Sequence, residues 1–227
     1  MVKGLKTIYG GMLLGERIAH ELRYSIISGK VKKETVLSEN SLAKEFGTSR
    51  APVRDALRVL SKEGLIALEK TGVRIIGVTL EDMRELYDVR FLIERFALER
   101  LNHFNEEIER ELNIIIDKME LAIAHDDSNS FADYDIEFHE VILRSIQHKK
   151  ILTVWEGIKY INHAALQIAT EKRFEEDKES LQDSIIHHRN MIKALKSNDE
   201  EYLKKVVHDH YHDTITTVSK SAYLNEY

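Results

Sequence analysis

Leu14, Ile18, Leu22 and Ile26 recur every fourth residue with polar residues between them. That spacing stacks them on one face of a helix over 14–28, and Gly29 supplies its stop. A shorter run carries Leu42, Ala43 and Phe46 behind Ser38-Glu39, and Gly47 ends it. Thr48 or Ser49 can cap a third helix, with Pro52 in its first turn, where a missing N–H costs little. Val53, Leu57 and Leu60 form the apolar side of that helix, and Glu63-Gly64 closes it. Leu65–Leu68 and Val73–Val78 then read as two short strands around a basic tip, Lys70-Thr71-Gly72. Two short helices joined by a Gly-containing turn and followed by a hairpin make a helix-turn-helix with a wing.

Beyond Thr79-Leu80 the pattern is almost wholly helical. Glu81–Asn102 carries Met83, Leu86, Arg90, Ile93, Ala97 and Leu101 on one broad face. Further helices are predicted at about 106–125, 128–147, 149–173, 177–197 and 199–221. Asp126-Asp127-Ser128-Asn129 and Ser197-Asn198-Asp199 break the pattern with cap-forming residues, whereas EKRFEEDKES (171–180) reads as a solvated stretch between helices. Six helices with short connections form a bundle, whose ligand sites arise from inward-facing side chains. The predicted fold class is mainly α. A winged helix-turn-helix with a small β wing spans 10–78, and an all-helical domain spans 79–222.

Composition narrows this further. One Pro and ten Gly in 227 residues argue against a turn-rich sandwich or barrel. The absence of Cys excludes disulfides, a thiolate metal site and a Cys nucleophile. The apolar runs fall short of the roughly 18 residues a membrane span needs. MVKGLKTIYGGMLLGER lacks a sustained apolar stretch, so a cytoplasmic protein is expected. The net charge of −6 conceals an asymmetry, with residues 1–80 carrying +6 and the remainder −12. Ten of the eleven His also fall in the acidic part. A small basic piece joined to a larger acidic one implies two different partners.

The chemistry follows the same division. Arg50, Arg54 and Arg58 recur at i, i+4 and i+8, giving one basic stripe suited to phosphates or to the O6/N7 edge of guanine. In the acidic part, Asp135 and His139 share a helix face. A carboxylate and an imidazole so placed can bind one divalent cation, or simply hydrogen-bond to each other. His188 lies about ten residues before the 197–199 break and His210 about eleven after it, which places them at similar heights on antiparallel helices. His187, His208 and His212 adjoin these positions, and a neighbour could substitute. Asn162 and His163 are further candidates for a cavity lining or for a packed helix with polar edges. Trp155 and Tyr160 read as core.

The segments LRYSIISGKV and LSENSLAKEFGTSRAPVRDALRVLSKEGLI, with the wing Gly72, resemble the winged helix of GntR-family transcription regulators. The resemblance covers about residues 10–78 and is most specific in SRAPVRDALRVL. It implies that Ser49, Arg50, Arg54 and Arg58 approach double-stranded operator DNA, with Thr71 and Gly72 near the minor groove. Lys33-Glu34 replaces a frequent Pro-Gly, and Asn40 stands where the family often has an Arg that contacts DNA.

ELYDVRFLIERFAL, DYDIEFHEVI and HHRNMIKALKSNDEEYLKKVVHDH resemble the FCD-type ligand-binding domain of the FadR subfamily over about 82–215. That resemblance implies a divalent metal (zinc, nickel or manganese) on Asp135, His139, His188 and His210. It also places Arg90 in the same cavity, with a small carboxylate effector bridging metal and guanidinium. Gln147-His148 replaces the family's common Gly-Asn, a change expected at the pocket rim. The expected function is a dimeric transcription regulator, a repressor, whose operator binding responds to that effector. The alternative is a regulator for which the cation itself is the signal. An enzyme is disfavoured, because no HExxH motif or nucleophile elbow is present.

Overall fold

The computed structural model describes residues 11–101, 104–197 and 199–221. The expected outer limits 10 and 222, and the expected Asn102 and Asn198 boundaries, lie outside the described residues.

Local chemistry sets the boundaries of the first elements. Ser38 Oγ accepts from Ser41 N at 3.0 Å and starts α2 (Glu39–Glu45). Gly47, at φ +61°, turns the chain out of it. α3 (Arg50–Lys62) follows and buries Val53, Ala56, Leu57 and Leu60, packing mainly on α1 (Leu14–Ile27).

The wing differs from expectation in one respect. β2 (Ile66–Glu69) and β3 (Gly72–Ile75) pair antiparallel as expected, but β1 (Val36–Leu37) joins β3 on its other side, giving the order β1-β3-β2. Two residues are too few to show a strand pattern, which is why the sequence conceals β1. The third strand also explains Gly72. Its φ is +147°, and a Cβ there would lie 2.7 Å from the Leu37 carbonyl oxygen, so Gly72 belongs to β3 and the turn is Lys70-Thr71.

Thr79 and Asp82 cap α4 (Leu80–Arg100) reciprocally, through Asp82 N to Thr79 Oγ1 at 3.1 Å and Thr79 N to the Asp82 carboxylate at 2.7 Å. α5 (Glu106–Ala124), α6 (Ser128–Ser145), α7 (Lys149–Glu176), α8 (Leu181–Ser197) and α9 (Glu200–Ser221) complete the bundle. α7 runs through the first half of the stretch expected to be solvated. Phe174 packs against the core there, and Arg173 donates to Ser180 Oγ and Ser184 Oγ, both at 2.9 Å. These contacts supply the reason the helix continues.

Two apolar cores result. One lies within the bundle and includes Ile116, Met119, Phe138 and Trp155. The other begins at Ile18, Leu22, Leu57 and Leu60 and continues into Met83 and Tyr87 of α4, Ile161 and Ile168 of α7 and Val218 of α9. α1 is therefore shared between the two parts of the chain. Its Arg23 forks onto Glu63 at 2.7 and 2.6 Å, its Tyr24 hydroxyl donates to Glu171 at 2.5 Å, and its His20 ring lies 5.8 Å from that of His163. Among the described residues no helix is long and apolar enough to cross a membrane.

Candidate functional site

On α3 the apolar side faces inward and the basic stripe outward. Arg50, Arg54 and Arg58 are each half or more exposed. Arg50 Nη2 donates to Glu39 at 3.0 Å, Arg54 Nε lies 3.7 Å from the same oxygen, and Arg58 pairs with Asp55 at 3.4 Å. Exposed pairs of this kind contribute about 0–1 kcal/mol, so a phosphate can displace them. Ser49 is the N-cap residue but makes no side-chain cap hydrogen bond, and its side chain is exposed at the same end of the stripe. Thr71 is exposed at the wing turn. Arg74 on β3, which the sequence did not single out, is held by Glu69 at 2.6 Å and Glu34 at 3.2 Å.

The bundle gathers a second set of groups. Asp135 and His139 on α6, His188 on α8, His210 on α9 and Arg90 on α4 are all less than a tenth exposed. One nitrogen from each of the three His falls within 4.8 Å of the others. His139 Nε2 is 3.2 Å from His210 Nε2, while Asp135 lies 3.4 Å from His188 Nε2 and 3.9 Å from His139 Nε2. Among the neighbouring His, the His208 side chain and His212 are exposed and His187 is half-buried.

The proton positions follow from the partners. His188 Nδ1 meets the Ser184 carbonyl at 2.7 Å, and a carbonyl can only accept, so Nδ1 carries a proton and Nε2 is the nitrogen turned toward Asp135. His139 Nδ1 faces the Glu94 carboxylate at 3.2 Å with the same result. The Nε2 atoms of both rings and the Asp135 carboxylate thus converge, and His188 Nε2 has no hydrogen-bond partner. A buried polar atom left unpaired costs about 1–3 kcal/mol.

A divalent cation fits this donor set. Two nitrogens on one tetrahedral zinc, each at about 2.0–2.1 Å, lie about 3.3 Å apart, close to the His139–His210 separation. The charges are consistent with it. Burial opposes ionisation of Asp135, but contacts with His188, His139 and Arg90 hold its carboxyl well below the usual range. Burial likewise opposes Glu94, and Arg90 followed by His139 brings it down to about 2. Burial, reinforced by His139 and His188, keeps His210 neutral.

Glu94 is the residue that sequence reasoning missed. It takes Arg90 Nε at 2.7 Å and orients His139, the arrangement by which a carboxylate fixes a ligating imidazole. The one-turn spacing from Arg90 pairs those two residues, but nothing local in the sequence links Glu94 to His139. Arg90 itself lies 3.5 Å from Asp135 and lines a small cavity of about 10 Å³ between α4 and α9. His163 belongs elsewhere. It is held by Asp133 at 2.7 Å and faces His20 of α1, at the junction of the two parts. Asn162 donates to the Ile158 carbonyl at 3.0 Å.

A winged head with an exposed arginine stripe, joined to a helical bundle with a buried polar centre, defines a DNA-binding regulator. Residues 14–74 match the family of bacterial regulatory proteins called gntR, and residues 85–213 match the FCD domain. The chain belongs to the GntR family of transcription regulators and carries an FCD domain. It is 38% identical over 200 residues to the gluconate operon transcriptional repressor of Bacillus licheniformis, covering 88% of this chain and 82% of that protein. The corresponding repressor of Bacillus subtilis (strain 168) is 36% identical over the same shares. The fold is shared with E. coli McbR/YncC, at a TM-score of 0.68 and 18% identity over 92% of this chain and 99% of that one. The families and these relatives are transcription regulators, not enzymes.

Proposed function

We propose that this regulator is a repressor whose grip on its operator is released by a sugar acid bound beside a divalent metal in the bundle. The observation that carries the reading is the buried cluster of His139, His188 and His210, with Asp135 3.4 Å from His188 and 3.9 Å from His139, next to Arg90. When bound, a divalent cation would supply a Lewis-acidic centre for a carboxylate or hydroxyl oxygen. Arg90 would neutralise the ligand's charge, and Glu94 would hold both Arg90 and His139 in place. The ligand class is suggested by the relatives, which are named for gluconate and galactonate operons and not for a metal. That favours a metabolite over the cation as signal.

In this reading residues 10–78 read DNA and residues 79–222 sense the ligand. The route between them runs from α6 to α1, since Asp133 lies two residues before Asp135 and holds His163, which faces His20. A homodimer supplies two heads for two half-sites. Val89 and Leu92 on α4 are exposed and offer a second copy an apolar face.

Metal analysis of untagged protein purified without chelator tests the centre. The wild type is expected to carry about one divalent cation per chain and a His139→Ala/His188→Ala variant none. Glu94→Gln should bind metal about 10–100-fold more weakly. A wild type that stays empty after incubation with zinc, nickel and manganese would sink the site.

The head is tested separately. Arg54→Ala should weaken binding to an operator selected from random duplexes by about 1–3 kcal/mol if it reads a base. If it meets only phosphate, binding should weaken for all sequences and the salt dependence should flatten. Unchanged affinity and unchanged salt slope would remove Arg54 from the interface.

A further inference from the structure

Glu39 holds two arginines of the α3 stripe from one point. Its Oε2 accepts from Arg50 Nε at 3.2 Å and from Arg50 Nη2 at 3.0 Å, and Arg54 Nε lies 3.7 Å from the same oxygen. The Glu39 side chain is 30% exposed against 56% and 50% for the two arginines, so it lies beneath them. Glu39 belongs to α2, so the two helices of the helix-turn-helix meet at this carboxylate.

The contact uses one edge of each fork. A guanidinium has a side edge, Nε with Nη2, and an end edge, Nη1 with Nη2. Glu39 occupies the side edge of Arg50 and lies nearest the Nε of Arg54, so the end edges of both point away from it. Two N–H groups on an end edge match the O6 and N7 acceptors of guanine. Arg58 is held differently, since its Nη1 lies 3.4 Å from Asp55 and the end edge is the one engaged. Charge then separates the two kinds of acceptor that DNA offers. A carboxylate beneath the fork repels a phosphate, but not a guanine edge, which carries no net charge. A phosphate that takes either arginine must displace Glu39 or face it, whereas guanine can dock with Glu39 in place.

We propose that Glu39 is a positioning residue for operator reading, which aims Arg50 and Arg54 at guanine and biases them against phosphate. This rests on the reading above that the stripe meets the operator, and it assigns the source of the stripe's selectivity. The gain is in discrimination and not in affinity. Because non-specific binding is phosphate binding, a head without the Glu39 charge holds unrelated duplexes more tightly.

Glu39→Gln removes the charge and keeps the shape. The full chain and its variants are titrated by fluorescence anisotropy at one salt concentration. The duplexes are an operator selected from random sequences, the same operator with deazaguanine (guanine without N7) for guanine, and a scrambled sequence. Glu45→Gln, an equal change of charge at the far end of α2, is the control, and Arg50→Ala and Arg54→Ala report on the stripe. Glu39→Gln should bind the scrambled duplex more tightly and lower the ratio of operator to scrambled affinity by about 3–10-fold, with a matching fall in the cost of deazaguanine. Glu45→Gln should shift both affinities alike and keep the ratio. A Glu39 that only braces α2 would lower the melting temperature of its variant and weaken all duplexes by one factor, which overturns the proposal. An equal fall of the ratio in Glu45→Gln overturns it too, because the effect is then one of net charge. If Arg50→Ala or Arg54→Ala abolishes the deazaguanine cost and Glu39→Gln leaves it intact, the stripe reading stands and the role of Glu39 falls. If the wild type is indifferent to deazaguanine, Glu39 has no guanine to aim at and the proposal falls, while the salt slope of Arg54→Ala still decides whether the stripe meets phosphate.

Discussion

Arg23→Ala should destabilise the protein by about 3–5 kcal/mol, the cost of leaving one partner of a buried ion pair alone. Arg23 is almost fully buried, and both of its hydrogen bonds, at 2.7 and 2.6 Å, go to Glu63. Glu63 is the C-cap of α3, so the pair fastens the end of that helix to α1. The Arg23 guanidinium also sits 5.6 Å from the Tyr160 ring of α7, which extends the same fastening into the bundle. At about 2–4 °C per kcal/mol for a chain of this size, the melting temperature should fall by about 6–20 °C. Arg23→Ala combined with Glu63→Ala should recover part of the loss, because the second change removes the stranded carboxylate. A loss below 1 kcal/mol in the single variant would mean that water reaches Glu63 and the fork does not hold the helix.

The second large effect is one of acidity. Burial, then the neighbouring His163 and Arg23, push His20 down from 6.5 to about 3. Folded, His20 stays neutral; unfolded, it takes up a proton as the pH falls below 6.5. The unfolded chain therefore binds more protons between about pH 6.5 and 3, and stability is lost across that window as pH falls. From these two values the loss between pH 7 and pH 5 is about 2 kcal/mol, or about 4–8 °C in melting temperature. His20→Gln should shrink the difference between melts at pH 7 and pH 5, even if it lowers both. A variant with the wild-type pH difference would show that His20 is not the group responsible.

Much of the fold is readable from the chain because its determinants are local. Ser38, Thr79 and Asp127 cap the helices they precede, and the apolar faces of α1 and α3 are visible as simple spacings. β1 is invisible for the opposite reason, since two residues become a strand only by pairing with β3 almost forty positions away. The same distinction applies to the polar centre. Asp135 and His139 are one turn apart, and His188 and His210 are mirrored about a break, so their proximity can be anticipated. Glu94 is hidden because its meaning comes from His139 on another helix. The Asp133–His163–His20 contact is hidden more deeply, because it depends on how α1 lies across the bundle, and no local spacing encodes that packing.

The shared position of α1 has a consequence for how the protein is made. α1 leaves the ribosome ahead of the helices it packs on, and Tyr24 must wait for Glu171, 147 residues later. At about 5–20 residues per second, that wait lasts about 7–30 s. During it the head can close around Leu57 and Leu60, but the side of α1 destined for Ile161 and Ile168 stays open. A chain synthesised only as far as the wing thus displays a greasy strip that α7 later covers, and a fragment cut after the wing displays it permanently. Arrival of α7, not completion of the head, is the step that shuts this surface.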